Sequence, residues 1–144
     1  MRENMEKDLQ SIPCHYLKLR RGEEMVRKFY DSYLKPSSVT IAQFFLLRQI
    51  SANEGCSVRQ LSDRTLLDRS TLARTLKPLF AAGLILDAKA PGARNSRLAL
   101  TPHGQSVLND AGARWEKAQK AFEEKIGRSR VEVCEKIIAE FAKL

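Results

Sequence analysis

Residues 57–101 read SVRQLSDRTLLDRSTLARTLKPLFAAGLILDAKAPGARNSRLALT. Ser57 and Gln60 have capping-box spacing. The hydroxyl can accept from the backbone N–H of residue 60, and the glutamine can reach back to residue 57. They open a short helix with Val58 and Leu61 inward. A break near Leu66-Leu67 follows. Asp68 then caps a helix expected to run to Ala82, with Gly83 as its left-handed terminator. Leu72, Leu76, Leu79 and Phe80 form its apolar stripe, and Arg69, Ser70, Arg74 and Lys77 the opposite, polar one. After Gly83 the apolar period changes from helix to strand. Leu84-Ile85-Leu86 is a short strand, Ala90-Pro91-Gly92-Ala93 has turn chemistry, and Ser96 to Leu100 alternates back.

Two short helices joined by a tight turn and followed by a β-hairpin make a winged helix-turn-helix. The flanks are helical. Residues 11–34 carry Ile12, Tyr16, Leu19, Val26, Phe29 and Tyr33 at helical spacing, which predicts one long amphipathic helix ended by Pro36-Ser37-Ser38. Disorder is expected in the first ten or so residues. Thr40 and Gln43 form another capping box before IAQFFLLRQI, a run apolar on nearly every side and therefore central. Asn53-Glu54-Gly55 ends it. Thr101 caps a helix with Pro102 at its first position. That helix should reach Ile126 on the stripe Leu108, Ala111, Trp115, Ala118, Phe122 and Ile126. Gly127 breaks it. Ser129 and Glu132 suggest a third capping box and a last helix with Val133, Ile137, Ile138 and Phe141 on one side.

The expected class is mainly α with a small β-hairpin wing (α+β). It divides into an N-terminal dimerisation helix (1–36), a winged helix-turn-helix lobe (37–101) and C-terminal dimerisation helices (102–144). The flanking stripes exceed what a winged-helix core of about 60 residues needs. Either a partner subunit covers them or they fold back on their own chain.

Charge is concentrated in the middle. The 144 residues carry a net +8, and residues 57–101 hold eight basic and three acidic side chains, a net +5. Such a balance favours a polyanionic partner. Hydrophobic residues at 43% allow a real core. No apolar run approaches a membrane span, and MRENMEKDLQ lacks the apolar core of a signal peptide. Three cysteines, Cys14, Cys56 and Cys134, with no CxxC give neither a disulfide framework nor a zinc finger, so the expected setting is cytoplasmic and reducing. There is no Gly-rich phosphate loop, no GxSxG and no metal-ligand motif. With two histidines, neither an enzyme nor a cofactor or metal site is expected. Cys14 and His15 are adjacent and point about 100° apart on a helix, which argues against joint ligation.

A major groove about 12 Å wide admits one helix presenting polar side chains to base edges. Arg69, Ser70, Thr71 and Arg74 are the candidate base readers on the 68–82 helix. Lys77, a turn further on, is placed at phosphate. Arg94 near the hairpin tip can enter a minor groove, with Arg97 just behind it.

The chain resembles the MarR family of bacterial transcription regulators. The residues that carry the resemblance are Leu19-Arg20-Arg21, Tyr30-Asp31, Thr40 with Gln43-Phe44, LDRSTLARTLKPLFAAGLI (67–85), Arg94, and Leu100-Thr101 with Gly104. The resemblance implies a homodimer with interlocked N- and C-terminal helices. It also implies a palindromic double-stranded DNA operator and a response to a small molecule or an oxidant. Three positions depart from the pattern: Gly92 replaces an Asp two residues before Arg94, Asp87 reverses the usual charge at the wing base, and Pro78 sits inside the recognition helix. Weaker or more shape-dependent wing contacts are expected from these, with a kink or loosening at Pro78.

For sensing, a small aromatic or carboxylate effector is the family default. His15, Tyr16, Leu19, Phe44, Leu47 and Trp115 could line its pocket, with Arg20 or Lys18 for a carboxylate. The alternative is a thiol sensor at Cys14, near a helix start and near Lys18. Some family members sense peroxide through a cysteine of this helix, but counted back from Tyr30 that position falls nearer Tyr16. Cys56 and Cys134 read as packing residues. A non-sensing architectural DNA binder would share the basic module without a pocket.

Overall fold

A computed structural model describes residues 2–65 and 67–144, without the side chains of residues 2–4. The break expected at Leu66-Leu67 falls partly on residue 66, outside the described residues. The elements are α1 (Arg2–Ser11), α2 (His15–Leu34), α3 (Ile41–Ala52), α4 (Val58–Thr65), α5 (Arg69–Ala81), β1 (Ile85–Asp87), β2 (Leu98–Leu100), α6 (Pro102–Ile126) and α7 (Arg128–Phe141).

Helix α3 is the hub, as its uninterrupted apolar sequence requires. Phe44, Leu46, Leu47 and Ile50 are buried, and the helix packs against α2, α4, α5, α6 and β2. Removing one such leucine from water contributes roughly 1.5–3 kcal/mol. Both halves of the Thr40–Gln43 capping box form. The carboxylate of Asp31 on α2 takes a further end group, accepting from the Ile41 N–H at 2.8 Å. A helix start needs such acceptors because its first N–H groups have no partner within the helix.

Helices α2 and α6 pack along one another. Phe29 and Tyr30 meet Phe122 with ring centroids 5.9 and 5.8 Å apart. The Tyr30 hydroxyl donates to Gln119, and the Ser37 hydroxyl to Asp110. The 3₁₀ turn Lys35–Ser37 with a left-handed Ser38 (φ 58°) stops α2 at the Pro36-Ser37-Ser38 signal.

The wing is a two-stranded antiparallel ribbon in which Ile85 pairs with Leu100, Leu86 with Ala99 and Asp87 with Leu98. Cys56 adds a bridge to Leu98 on its other side. Thr101 joins the wing to α6. Its hydroxyl donates to the Gly83 carbonyl at 2.6 Å and accepts from the Gly104 N–H at 2.9 Å. Gly104 is required by the approach of β1: an added Cβ would stand 1.9 Å from the Leu84 carbonyl oxygen.

Several sequence expectations change. The helix expected over 11–34 begins only at His15, because Ile12-Pro13-Cys14 interrupts it. Pro13 lacks the N–H a continuing helix would use and clashes with the preceding turn. Residues 2–11, expected to be disordered, form α1. Phe80 is 39% exposed rather than part of the buried stripe, which is Leu72, Leu76 and Leu79. The first strand is shifted by one residue, to Ile85–Asp87, and the second is shorter than expected, starting at Leu98. The Ser129–Glu132 capping box does not form. Helix α7 starts two residues earlier than a Ser129 cap would place it, at Arg128, with Gly127 in the cap position, and Glu132 pairs with Arg128 at 3.5 Å. Helix α5 runs on through Pro78 to Ala81.

Gly104→Ala is expected to lower stability by about 1–3 kcal/mol, the cost of overpacking a rigid contact. Urea denaturation measures it, and an unchanged midpoint would show that the Leu84 carbonyl can withdraw without cost.

Candidate nucleic-acid interface

Helix α5 starts where its sequence demands. Asp68 is extended (φ −64°, ψ 157°) and its Oδ1 accepts from the Thr71 N–H at 2.8 Å, an N-cap. The carboxylate does more than cap. Ser70 Oγ donates to Oδ1 at 2.6 Å and Thr71 Oγ1 donates to Oδ2 at 2.7 Å. The Ser70 hydroxyl bond and those from Thr71 hold the Asp68 carboxyl well below the usual carboxylate range. Arg74 Nη2 reaches Thr71 Oγ1 at 3.4 Å. Arg69, Ser70, Arg74 and Lys77 are exposed and Thr71 is half-buried.

The wing is braced by Asp87. Its Oδ1 accepts from the backbone N–H of Arg97 at 2.8 Å and of Lys89 at 3.1 Å. These bonds, that from Arg97 foremost, lower its carboxyl below the ordinary value. The Ala93 N–H donates to the Ala90 carbonyl at 3.0 Å across Pro91-Gly92, and Gly92 has φ 80°. Pro then Gly with positive φ is type II turn chemistry. Gly92 therefore serves the turn, and Asp87 occupies the strand end that a backbone carbonyl would otherwise hold. The Val58 N–H donates to Ser96 Oγ at 2.8 Å, tying the returning wing to the start of α4. Arg94 and Arg97 are exposed. These roles of Asp87 and Ser96 were not read from the sequence. The signal for Asp87 was available, since Asp two residues before Lys89 is Asx-turn spacing.

The cations divide in two. Every ion pair among the described residues lies on α2, on α6 or at and beyond α7. The five candidate contact residues Arg69, Arg74, Lys77, Arg94 and Arg97 pair with no carboxylate among the described residues.

The effector residues are scattered in the single chain. Phe44 and Leu47 are buried in the core, and Trp115 packs on Phe44 with centroids 5.9 Å apart and lies under Arg48. His15, Tyr16, Leu19 and Arg20 are exposed on the first turns of α2. The two open concavities described are elsewhere. One of about 360 Å³ lies between α2 and α3 beside Asp31, Lys35 and Gln43, and one of about 250 Å³ beside Ile50, Thr101 and Gln105. Cys14 is exposed at the cap position of α2 with no side-chain cap bond. Cys56 is buried, which pushes its thiol up. Cys134, read as a packing residue, is exposed on this chain because α7 has no buried face. Among the described residues no group of three or more His, Cys, Asp or Glu could hold a metal ion, and no helix is long and apolar enough to cross a membrane.

Because folding lowers the Asp87 carboxyl, its contribution to the wing is present above the ordinary value of 3.8 and is lost as pH falls through the lower folded value. Amide exchange at Arg97 and Lys89 should show protection constant from neutrality down to that range, collapsing below it. Asp87→Ala should remove this protection at every pH. Equal protection in both proteins at neutral pH would mean that the carboxylate does not brace the wing.

A MarR-family sequence profile matches residues 37–94, the lobe that contains α3, α4, α5 and the wing turn. The chain is 24% identical over 127 residues to the HTH-type transcriptional regulator FarR of Neisseria gonorrhoeae, covering 88% of this chain and 87% of FarR. The fold superimposes on the M. tuberculosis transcriptional regulator MosR in complex with DNA, with a TM-score of 0.72 and 29% identity. That match covers 91% of this chain and 99% of MosR. It also superimposes on the PcaV transcriptional regulator of Streptomyces coelicolor in complex with its natural ligand, with a TM-score of 0.76 and 26% identity over 94% of each chain. The lobe, its cap and wing chemistry and these likenesses agree: residues 37–94 match the MarR family, and the fold is similar to that of solved winged helix-turn-helix transcription regulators.

Proposed function

We propose that the protein is a repressor that binds a palindromic operator as a homodimer and changes its affinity when a small molecule binds. The observation that carries the DNA part is the division of cations. Arg21, Arg27, Lys28, Arg114 and Arg128 of the flanking helices pair with carboxylates of their own helix, while Arg69, Arg74, Lys77, Arg94 and Arg97 make no ion pair among the described residues and are left for phosphates and base edges. In this reading α5 enters the major groove with Arg69, Ser70, Thr71 and Arg74 toward bases and Lys77 toward phosphate. The wing brings Arg94 to the adjacent minor groove, with Arg97 behind it. The DNA complex of MosR supports that use of the fold.

Uncovered apolar surface supports the dimer. On α2, Tyr16 is 66% and Leu19 54% exposed; on α7, Val133, Ile137 and Ile138 are each at least half exposed. Such side chains at both ends of one chain suit an isologous interface, in which α2 and α7 of two copies cover each other. The ligand complex of PcaV supports an effector. The partner subunit would close a pocket over Tyr16, Leu19 and Trp115, with Arg20 meeting a carboxylate.

Selection of bound sequences from random duplex DNA at stated salt tests the reading. A palindrome with half-sites about one helical turn apart is expected. Uniform binding with no preferred site would instead indicate an architectural protein. Arg94→Ala should weaken binding and flatten the slope of log affinity against log salt by about 0.9 for the phosphate charge lost. An unchanged slope and affinity would take the wing off the DNA. Ile137→Glu with Ile138→Glu should convert a dimer to a monomer in sedimentation. A wild-type monomer at micromolar concentration would overturn the dimer.

A further inference from the structure

Helix α5 carries two hydroxyls at its head, and hydroxyls are ordinarily the least informative base readers. A serine or threonine oxygen has one proton and two lone pairs, and the proton rotates to suit a donor or an acceptor. We propose that Asp68 removes this ambiguity: by taking the hydroxyl protons of Ser70 and Thr71 it leaves both oxygens as acceptors, which require an amino group, adenine N6 or cytosine N4, on the base they meet. The inference rests on α5 being the DNA-reading helix.

The geometry commits both protons. Ser70 Oγ lies 2.6 Å from Asp68 Oδ1 and Thr71 Oγ1 lies 2.7 Å from Oδ2. These are lengths of charge-assisted O–H···O⁻ bonds, roughly twice as strong as neutral ones. An ionised carboxylate accepts only, so it cannot return a proton to either hydroxyl. The same Oδ1 also accepts the Thr71 N–H, which anchors the carboxylate on the helix end. Turning a hydroxyl proton out toward a guanine or thymine oxygen would exchange a bond to a charged acceptor for one to a neutral acceptor. Arg74 Nη2 approaches Thr71 Oγ1 at 3.4 Å, as a donor meets an acceptor. Arg74 itself can only donate. The helix thus presents Ser70 and Thr71 as acceptors between the donors Arg69 and Arg74, a fixed order that a rotating hydroxyl would not supply. Asp68 is a positioning residue here, acting through Ser70 and Thr71.

Asp68→Asn separates this role from capping. Its side-chain carbonyl still accepts the Thr71 N–H, and Asn ranks beside Asp as a cap. Its amide, in place of Oδ2, donates to Thr71 Oγ1, so that hydroxyl turns its proton outward. The experiment uses the full chain and the best duplex from random selection. Ser70→Ala and Thr71→Val locate the base pairs each hydroxyl reads. At those pairs, adenine or cytosine is replaced by the same base without its exocyclic amino group. Wild type is expected to lose about fivefold in affinity at each, the weight of one hydrogen bond. Ser70→Ala should show no further loss at its own pair. Asp68→Asn should lose the amino dependence at the Thr71 pair and keep it at the Ser70 pair. A wild-type protein indifferent to amino deletion at both pairs overturns the inference while leaving the regulator reading intact. So does an Asp68→Asn protein with wild-type amino dependence at the Thr71 pair. Should Asp68→Asn not fold, the wild-type, Ser70→Ala and Thr71→Val arms decide alone. If no sequence is selected at all, the regulator reading fails and this inference falls with it.

Discussion

The approach of β1 to the start of α6 is the constraint on which the rest of the molecule depends. The Leu84 carbonyl oxygen occupies the space of a Cβ on Gly104, and Thr101 bonds both the Gly83 carbonyl and the Gly104 N–H. The end of α5 and the start of α6 are thereby one rigid joint. A backbone-to-backbone contact cannot be relaxed by a side-chain rotation, so movement of α6 must be transmitted to α5 or must break this joint. The buried α3 beneath it supplies the apolar mass, and Asp31 ties that helix to α2.

Two carboxylates then shape the exposed parts of the lobe. Asp68 organises the first turn of α5, and Asp87 gathers two backbone N–H groups at the wing base. Neither neutralises an arginine or lysine side chain through an ion pair. Their charge is spent on hydroxyl and amide donors, which leaves the neighbouring cations free. On α2 and α6, Glu23, Glu24, Asp31 and Asp110 do the reverse and pair with lysine or arginine one turn away. Local geometry thus sharpens the concentration of positive charge in the middle of the chain, because the lobe's carboxylates are taken up by neutral donors while several flanking ones meet cations.

Much of this was legible in residues 57–101. The Ser57–Gln60 box, the Asp68 cap, the Gly83 stop and the Thr101–Pro102 start each form as read, because each is decided within four residues by donors and acceptors on the same short segment. The apolar stripe Leu72, Leu76 and Leu79 is buried as its spacing requires, whereas Phe80 sits off that stripe. The break at Pro13 was also written in the sequence, but the amphipathic period runs across it and masks it. The Ser129–Glu132 box failed because Gly127 lets the chain restart the helix two residues sooner.

The sequence by itself determined the elements, their ends and the concentration of positive charge, since these follow from contacts between near neighbours. Only the tertiary structure decided what Asp87 does, why Gly104 has no side chain, and that Phe44 is buried against Trp115 while the start of α2 is exposed. Those depend on groups brought together from distant parts of the chain, such as residues 84 and 104, whose approach no local periodicity encodes. The +5 of residues 57–101 was visible as a count. That its cations make no ion pair among the described residues, while Arg21, Arg27, Lys28, Arg114 and Arg128 of the flanking helices pair one turn away, required knowing which side chains meet.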